Sequence, residues 1–234
     1  ETNQQRKLLE ETLKKEKHNY KVFISMRYWK PFINETLINV MNWHPDEIIL
    51  LPLYPQFSTT TSGSSLKSWK KEVDMKNYKV PTKIVCCYPE DKDFISAHVH
   101  EINKVLNIAK NKNKKKKDIR LLFSAHGLPE KIIKKGDPYQ NQVEKTVSKV
   151  VDSLNNNEFL HTICYQSKVG PLKWIGPSTE EEIIKASKKN EVIILIPIAF
   201  VSEHSETLVE LDIEYKEVAL NNGCEVYLRA PALG

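Results

Sequence analysis

Two histidines in this sequence each follow a short apolar run, and carboxylates flank the second of them. His126 ends the run at residues 119–125, and His204 and Glu206 come just after the run at residues 192–201. Open α/β folds bind ligands at the carboxyl ends of parallel strands, which is the position that both histidines take in this pattern. Imidazole titrates near neutral pH and binds borderline metals, so the pattern predicts a proton-transfer or metal site. A lone histidine at a strand end is as often a structural hydrogen bonder, and for His126 alone both interpretations stay open.

A row of glutamates follows His204, with carboxylates spaced three or four residues apart. On an α-helix, which turns about 100° per residue, they fall within a sector of roughly 80°. The solvated face of an amphipathic helix is the simpler explanation of such a row. Because the row begins at the strand end that carries His204, it can also lead protons or a divalent cation to that site. The row consists of Glu206, Glu210, Glu214 and Glu217.

Strand-like and helix-like segments alternate along the chain and must position these side chains. This alternation predicts an α/β protein with right-handed crossovers and mostly parallel sheets. A lysine- and asparagine-rich stretch at residues 110–118 interrupts the pattern and predicts two units with a cleft between them. Strands are predicted at residues 20–26, 47–53, 83–87, 119–124, 159–165, 191–198 and 225–228, and helices at residues 2–18, 33–42, 94–109, 137–154 and 204–221 and from residues 63 and 178.

Charge and composition exclude several classes of protein. The net charge is +5, but residues 110–117 supply six lysines, so the rest of the chain carries −1. Only four of the 35 basic residues are arginines, the residue that phosphate and base recognition favours, so no nucleic-acid partner is predicted. The longest apolar run contains Pro197 and is too short to span a bilayer. The four cysteines have no CxxC spacing and are predicted to be reduced thiols.

Five segments resemble motifs of the ferrochelatase family, and together they cover nearly the whole chain. The segments around the two histidines resemble that family's SAHxLP and PIAF(T/V)SDHIETL…ELD motifs. Two further segments resemble its YPQ(Y/F)S…TGSS loop and its QSKVGP…WLGP segment, and one matches an RY strand end. The segments are residues 123–129, 197–212, 54–65, 166–177 and 27–28.

The resemblance implies a fold of two Rossmann-like, chelatase-type domains with parallel four-stranded sheets flanked by helices. We expect the first domain at residues 1–113 and the second at residues 114–234. Family members normally begin with an earlier strand and end with a segment that returns to the first domain. Neither is recognisable in this sequence, so we expect the chain to be a part of a longer protein.

By the same resemblance, the chain is a lyase that inserts ferrous iron into protoporphyrin IX, the last step of haem biosynthesis. His126 and Glu206 are then both the catalytic pair and the metal ligands. Insertion removes two protons from pyrrole nitrogens, and His126 either accepts protons or helps to deliver the metal. The residues expected along a proton or metal path are His204, Glu203, Glu210 and Glu214. The residues expected to bind porphyrin are Arg27, Tyr28, Tyr54, Ser58, Trp174 and Phe200, although ordinary packing explains Trp174 equally well without the resemblance.

The resemblance also implies partners and a compartment. The expected partners are protoporphyrin IX and ferrous iron. A homodimer is also expected, as is peripheral membrane association through segments outside this chain. No prosthetic group is expected, and no two-iron two-sulfur cluster, because Thr59 stands in the loop where some members have a cysteine. The expected compartment is the mitochondrion or plastid of a eukaryote, or the cytoplasm of a bacterium. Glu203 replaces the usual Asp, and Tyr165 stands where many members have Trp.

Other functions stay open at this point. The substrate could be another tetrapyrrole, such as coproporphyrin or sirohydrochlorin, although the QSKVGP segment is closer to the protoporphyrin branch. A catalytically inactive porphyrin- or haem-binding module is a second alternative. A metal-dependent hydrolase is remote, because the sequence has neither an HExxH motif nor a GxSxG nucleophile elbow.

Overall fold

The computed structural model describes residues 1–115, 117–154 and 159–233, which form two compact units. The first unit consists of residues 1–53 and 57–87, and the second of residues 54–56 and 88–233. The predicted α/β class, with parallel sheets flanked by helices, is confirmed. None of the helices in the described part of the chain is long and apolar enough to cross a bilayer.

The first unit contains three helices and a short parallel sheet. Its core consists of Leu37, Val40, Ile48 and Trp69. Strands β1 and β2 pair with Ile48 opposite Thr82. The elements of this unit are α1 (Thr2–Leu13), α2 (Ile33–Trp43), β1 (Ile48–Leu50), α3 (Ser62–Met75) and β2 (Thr82–Ile84).

Three expectations for the first unit differ from the structure. Its sheet has two strands among the described residues, where the resemblance implied four. The strand predicted at residues 20–26 does not form: only Met26 makes a bridge, to Phe32, although Phe23 packs against the core. Helix α1 ends at Leu13 and not at residue 18, because residues 14–18 are all charged or polar and give a longer helix nothing to bury.

The second unit is built on a four-stranded parallel sheet in the order β4-β3-β5-β6. The two central strands are almost wholly buried, which explains why their sequences are near-continuous apolar runs. The elements of this unit are α4 (Lys92–Lys112), β3 (Ile119–His126), α5 (Glu130–Ile133), α6 (Tyr139–Ser153), β4 (Phe159–Gln166), α7 (Thr179–Lys188), β5 (Val192–Pro197), a π-helix (Glu206–Glu214), α8 (Tyr215–Asn221) and β6 (Tyr227–Arg229).

Helices cover both faces of this sheet, and the period-two alternation of β3 sorts its side chains between them. Leu121 and Phe123 belong to the core that includes residues of α4 and α6. Leu122 lies on the opposite face, with residues of α7, the π-helix and α8. Two and four residues further on, Ser124 and His126 share the face of Leu122. The alternation therefore aims His126 at the π-helix face.

The boundary between the units lies between Cys87 and Tyr88, and not at the predicted 113/114. Helix α4 was expected in the first domain, but its apolar face, including Ile102 and Leu106, packs in the core of the second sheet. Within the lysine-rich stretch, α4 ends at Lys112 and a turn follows at residues 114–115. The Asn113 side chain bonds both backbone groups of Lys117.

Candidate active site

His126 and Glu206 are in direct contact at the carboxyl end of the second sheet. His126 Nδ1 lies 2.9 Å from Glu206 Oε2, and the two side chains are 41% and 37% exposed. The Glu206 backbone N–H donates to His204 Nδ1 at 3.1 Å. The structure thus brings together three residues that the sequence placed at two separate strand ends. The partial exposure leaves the imidazole and the carboxylate accessible to a substrate.

The chain turns away from His126 at Gly127, where a side chain would be crowded. A Cβ at Gly127 would lie 3.0 Å from the Gln166 carbonyl oxygen and 3.1 Å from the Trp174 ring. The loop after β4 folds back here, because Ile175 N–H donates to the Leu128 carbonyl. Trp174 therefore packs over Gly127, and its indole N–H donates to the Val169 carbonyl at 3.1 Å. This contact beside His126 is the ordinary packing considered for Trp174, and it also keeps the ring within the site.

Glu210 is the most extensively hydrogen-bonded carboxylate of the π-helix. It accepts from Gln166 Nε2 at 3.1 Å, from the Ser167 N–H at 2.9 Å and hydroxyl at 2.6 Å, and from the Tyr215 hydroxyl at 2.9 Å. Burial raises the pKa of Tyr215, and the neighbouring Glu210 raises it further, so this hydroxyl remains a donor. With these donors in place, Glu210 is held as an acceptor in a fixed orientation.

Gln166 links Glu210 to Glu206 and to the interior of the sheet. Its side chain is 1% exposed, and its Nε2 also donates to the Glu206 carbonyl at 3.3 Å. Its Oε1 accepts from the Ser124 hydroxyl at 2.7 Å, and that hydroxyl lies 2.8 Å from the Thr179 hydroxyl. The sequence analysis assigned no role to this chain of polar groups. Its signal in the sequence was a serine and a glutamine, each near the carboxyl end of a strand.

The segment that carries the glutamate row is a π-helix and not the expected α-helix. Its hydrogen bonds run from residue i+5 to residue i, as shown by the Tyr215 N–H that donates to the Glu210 carbonyl. Each residue then turns through a smaller angle than in an α-helix, so the predicted 80° sector does not apply. π-helical segments are rare in proteins, and those that occur are frequently found at functional sites.

The predicted path also includes Glu203 and Glu214. Glu203 accepts from Arg229 Nη1 and from the Ala232 N–H, both at 2.9 Å. Glu214 is exposed near the end of the π-helix. Neither residue has a direct hydrogen bond to His126 or Glu206. His204, in contrast, accepts directly from the Glu206 N–H, and Glu210 is linked to Glu206 through Gln166.

The electrostatics of the site favour an ionised Glu206. The hydrogen bond with His126 holds the pKa of Glu206 below its ordinary value, and partial burial opposes this shift without cancelling it. The phenol of Tyr139 lies close enough to the pair for the His126 backbone and Glu206 to influence its pKa. Burial raises the pKa of Tyr139, so the ring stays neutral. A carboxylate beside an imidazole is an arrangement that can accept a proton or contribute two ligands to a metal.

The predicted porphyrin-binding residues lie in both units. In the second unit, the Phe200 ring lies 4.9 Å from the His204 ring, and the half-exposed Tyr54 belongs to residues 54–56. In the first unit, the Arg27 guanidinium lies 4.8 Å above the Tyr28 ring, and its Nε donates to the Ser64 hydroxyl at 3.2 Å.

Ser58, also in the first unit, is fully buried in the loop before α3. Its hydroxyl accepts from the Thr60 N–H at 3.1 Å and so shapes the hydroxyl-rich turn. Its local contacts are therefore those of a residue that holds the backbone of this loop.

The described residues contain no group of three or more His, Cys, Asp or Glu side chains arranged to hold a metal ion. His126 and Glu206 offer two ligands and leave the other coordination positions free.

Comparisons with known proteins show extensive similarity to bacterial ferrochelatases. Ferrochelatase from Pelagibacter ubique (strain HTCC1062) is 57% identical over 92% of this chain and 60% of its own length. Ferrochelatases from Wolbachia pipientis wMel and Rickettsia typhi (strain ATCC VR-144 / Wilmington) are 50% and 49% identical, over 92% and 100% of this chain. The chain spans between three fifths and two thirds of the length of these bacterial relatives.

Solved structures show the same fold at low sequence identity. SirB from Bacillus subtilis with Fe³⁺ aligns with a TM-score of 0.66 at 11% identity, over 100% of this chain and 84% of that one. The sirohydrochlorin chelatase SirB from Bacillus subtilis subspecies spizizenii in complex with cobalt aligns with a TM-score of 0.65. The family model for ferrochelatase matches residues 1–234. The chain therefore belongs to the ferrochelatase family.

Proposed function

We propose that this chain carries the metal-insertion site of an enzyme that places ferrous iron into protoporphyrin IX to form haem. The observation that carries the proposal is the contact between His126 and Glu206, at 2.9 Å, on partly exposed side chains at a strand end. Membership of the ferrochelatase family supports the reaction, because the named relatives are ferrochelatases.

The chemistry of insertion requires both a base and a weak metal site. Ferrous iron replaces two pyrrole N–H protons, so the balanced step releases two protons for each metal that binds the four nitrogens. His126 accepts the protons or holds the metal during its approach, and Glu206, which its lowered pKa keeps ionised, stabilises the positive charge that forms beside it. A site of two ligands binds the metal loosely enough to release it to the macrocycle. Iron enters as substrate, so the proposal requires no prosthetic group.

The order of the acidic residues supports a path to this pair. Gln166 Nε2 donates to both the Glu210 carboxylate and the Glu206 backbone carbonyl, so one side chain contacts both residues. Glu210 is then next in line after Glu206, and the exposed Glu214 is the entry to the path. The aromatic rings of Phe200 and Trp174 belong to the porphyrin side, because a flat π-ligand packs well against aromatic faces.

The test is insertion of zinc or ferrous iron into a porphyrin, followed by absorbance. It uses this chain and a chimera in which the chain lies between the flanking segments of the Pelagibacter ubique relative. We expect His126→Ala and Glu206→Gln to lose at least a hundredfold in kcat, the usual range for general acid–base groups. Glu217→Gln removes an exposed carboxylate of α8 and is the matched control, with activity unchanged.

Two results would contradict the proposal. Wild-type rates in the His126 and Glu206 variants would remove the pair from the reaction. Tight porphyrin binding without metal insertion, in the chain and in the chimera, would favour the inactive binding module. A comparison of insertion rates with protoporphyrin, coproporphyrin and sirohydrochlorin identifies which tetrapyrrole is the substrate.

The compartment is also part of the proposal, and the source of the relatives supports it. All three named relatives are bacterial, which favours a bacterial enzyme over the mitochondrial or plastid alternative. We therefore propose the bacterial cytoplasm as the place of the reaction.

A further inference from the structure

Arg229, in the edge strand β6, is bonded to residues at two separate points of the segment that carries Glu206. Its Nε and Nη2 donate to the two oxygens of Asp212, at 2.6 and 2.8 Å, which makes a bidentate pair. Its Nη1 donates to Glu203 Oε1 at 2.9 Å. The Arg229 side chain is 11% exposed, whereas the Glu203 and Asp212 side chains are 21% and 38% exposed.

The two partners of Arg229 lie on either side of Glu206 in the sequence. Glu203 precedes the π-helix, and Asp212 lies within it. The same edge strand makes one more contact with this helix, since the Tyr227 hydroxyl donates to the Leu211 carbonyl at 2.7 Å. The end of β4, where Gln166 and Ser167 bond Glu206 and Glu210, holds the helix from the other edge of the sheet.

The spacing of Glu203 and Asp212 depends on how the helix is wound. An α-helix turns further per residue than a π-helix, so rewinding residues 206–214 would carry Asp212 away from Arg229 while Glu203 stayed bound. A bidentate arginine–carboxylate pair is strict in geometry, and the rewound helix would lose it. The contacts of Arg229 with both Glu203 and Asp212 are therefore compatible with the π-helical winding and oppose the α-helical one.

We propose that Arg229 is a positioning residue for metal insertion, which fixes the π-helical winding and thereby holds the Glu206 carboxylate against His126. The inference rests on the proposed function for its catalytic consequence. Arg229 has no hydrogen bond to His126 or Glu206 and acts only through Glu203 and Asp212. Lysine cannot replace it, because a single ammonium group cannot make the bidentate contact to Asp212 while also reaching Glu203.

The first test measures hydrogen–deuterium exchange in the 234-residue chain with Arg229→Lys, which needs no catalytic activity. We expect amide exchange at residues 206–214 to become at least tenfold faster, while β3 amides keep their protection. Arg120→Lys is the matched control: Arg120 makes a bidentate pair with Glu191, at 2.9 and 3.0 Å, and lies at the opposite end of β3 from His126. It should leave exchange at residues 206–214 unchanged.

The second test measures zinc insertion in the chimera described above. Arg229→Lys should lower kcat about tenfold with the KM for porphyrin unchanged, because only the orientation of Glu206 is altered. Asp212→Glu in the Arg229→Lys background lengthens the carboxylate toward the shorter reach of lysine and should restore part of the loss. If Arg229→Lys fails to fold, Asp212→Asn removes the charged bidentate pair and leaves the contact between Arg229 and Glu203.

The outcomes separate this inference from the proposed function. Faster exchange at residues 206–214 without any insertion by the wild type would support the contact as a clamp on the helix and refute the proposed reaction. Wild-type insertion, together with unchanged exchange and unchanged kcat in both Arg229→Lys and Asp212→Asn, would overturn the role of Arg229. An equal effect of Arg120→Lys on kcat would also overturn it, because the loss would then reflect general destabilisation.

Discussion

Replacing Gln166 by leucine should lower both the free energy of unfolding and kcat for metal insertion. The side chain is 1% exposed and makes three hydrogen bonds, to the Ser124 hydroxyl, the Glu210 carboxylate and the Glu206 carbonyl. A hydrogen bond to a charged group contributes about 1.5–3 kcal/mol, and a neutral one about 0.5–1.5 kcal/mol. The Glu206 contact is long, at 3.3 Å, so it adds little.

The partners left behind are not wholly orphaned. The Ser124 hydroxyl keeps Thr179, and Glu210 keeps its bonds from Ser167 and Tyr215. Leucine is of similar size and needs no partner, which offsets part of the loss. We therefore expect the free energy of unfolding to fall by about 2–4 kcal/mol, close to the sum of one charged and one neutral hydrogen bond.

Urea denaturation measures this change, with Gln56→Leu as the matched control. Gln56 is equally buried, at 1% exposure, and donates to the Thr146 hydroxyl at 3.1 Å, a neutral contact outside the site. Its loss should cost about 0.5–1.5 kcal/mol. In zinc insertion, only the Gln166 variant should lose kcat. If Gln166→Leu costs no more stability than Gln56→Leu and inserts zinc at the wild-type rate, the assigned network does not hold Glu206 and Glu210.

Three further changes each test one local feature of the structure. Gly127→Ala should lower the free energy of unfolding by about 1–3 kcal/mol in urea denaturation, because its Cβ would meet a backbone oxygen at 3.0 Å. An unchanged unfolding midpoint would contradict this close approach. Burial lowers the pKa of His98 to about 4, so the unfolded chain binds a proton before the folded one and stability should fall by about 3 kcal/mol between about pH 6.5 and pH 4. His98→Leu should remove that part of the pH dependence, and an identical pH profile in the variant would refute the assignment. Because the pKa of Glu206 is lowered in the folded state, its contribution to stability is present above the ordinary glutamate pKa and is lost as the pH falls through the folded value. Comparing wild type with Glu206→Gln by urea denaturation below pH 5 measures that loss, and parallel profiles would show that the contact with His126 contributes none.

Much of the second unit could be predicted from the sequence. The apolar runs around residues 119–125 and 192–198 are long, bounded by breakers and too short for helices, so they predicted the buried central strands β3 and β5. Their ends predicted that His126 and Glu206 would meet, because parallel strands present their carboxyl ends at one edge. The first unit was less predictable: residues 20–26 have a strand-like composition, but a strand also needs a hydrogen-bonding neighbour.

The domain boundary shows a second limit of local patterns. The lysine-rich run at residues 110–117 is the most conspicuous change in composition, yet the units divide at Cys87 and Tyr88. Helix α4 belongs with the second sheet because its apolar side is buried there. Composition marks where a chain is solvated, whereas a boundary depends on which core each helix packs against.

The amino-acid order specifies the strand ends, the residue types of the site and the family motifs, because these depend on local order and composition. The winding of the segment at residues 206–214 depends instead on contacts between distant parts of the chain. The glutamate row is equally compatible with an α-helix, and contacts from Gln166 at one edge of the sheet and Arg229 at the other are made to the π-helix. Those partners lie 44 and 17 residues away from theirs in the chain, so no local period could reveal them.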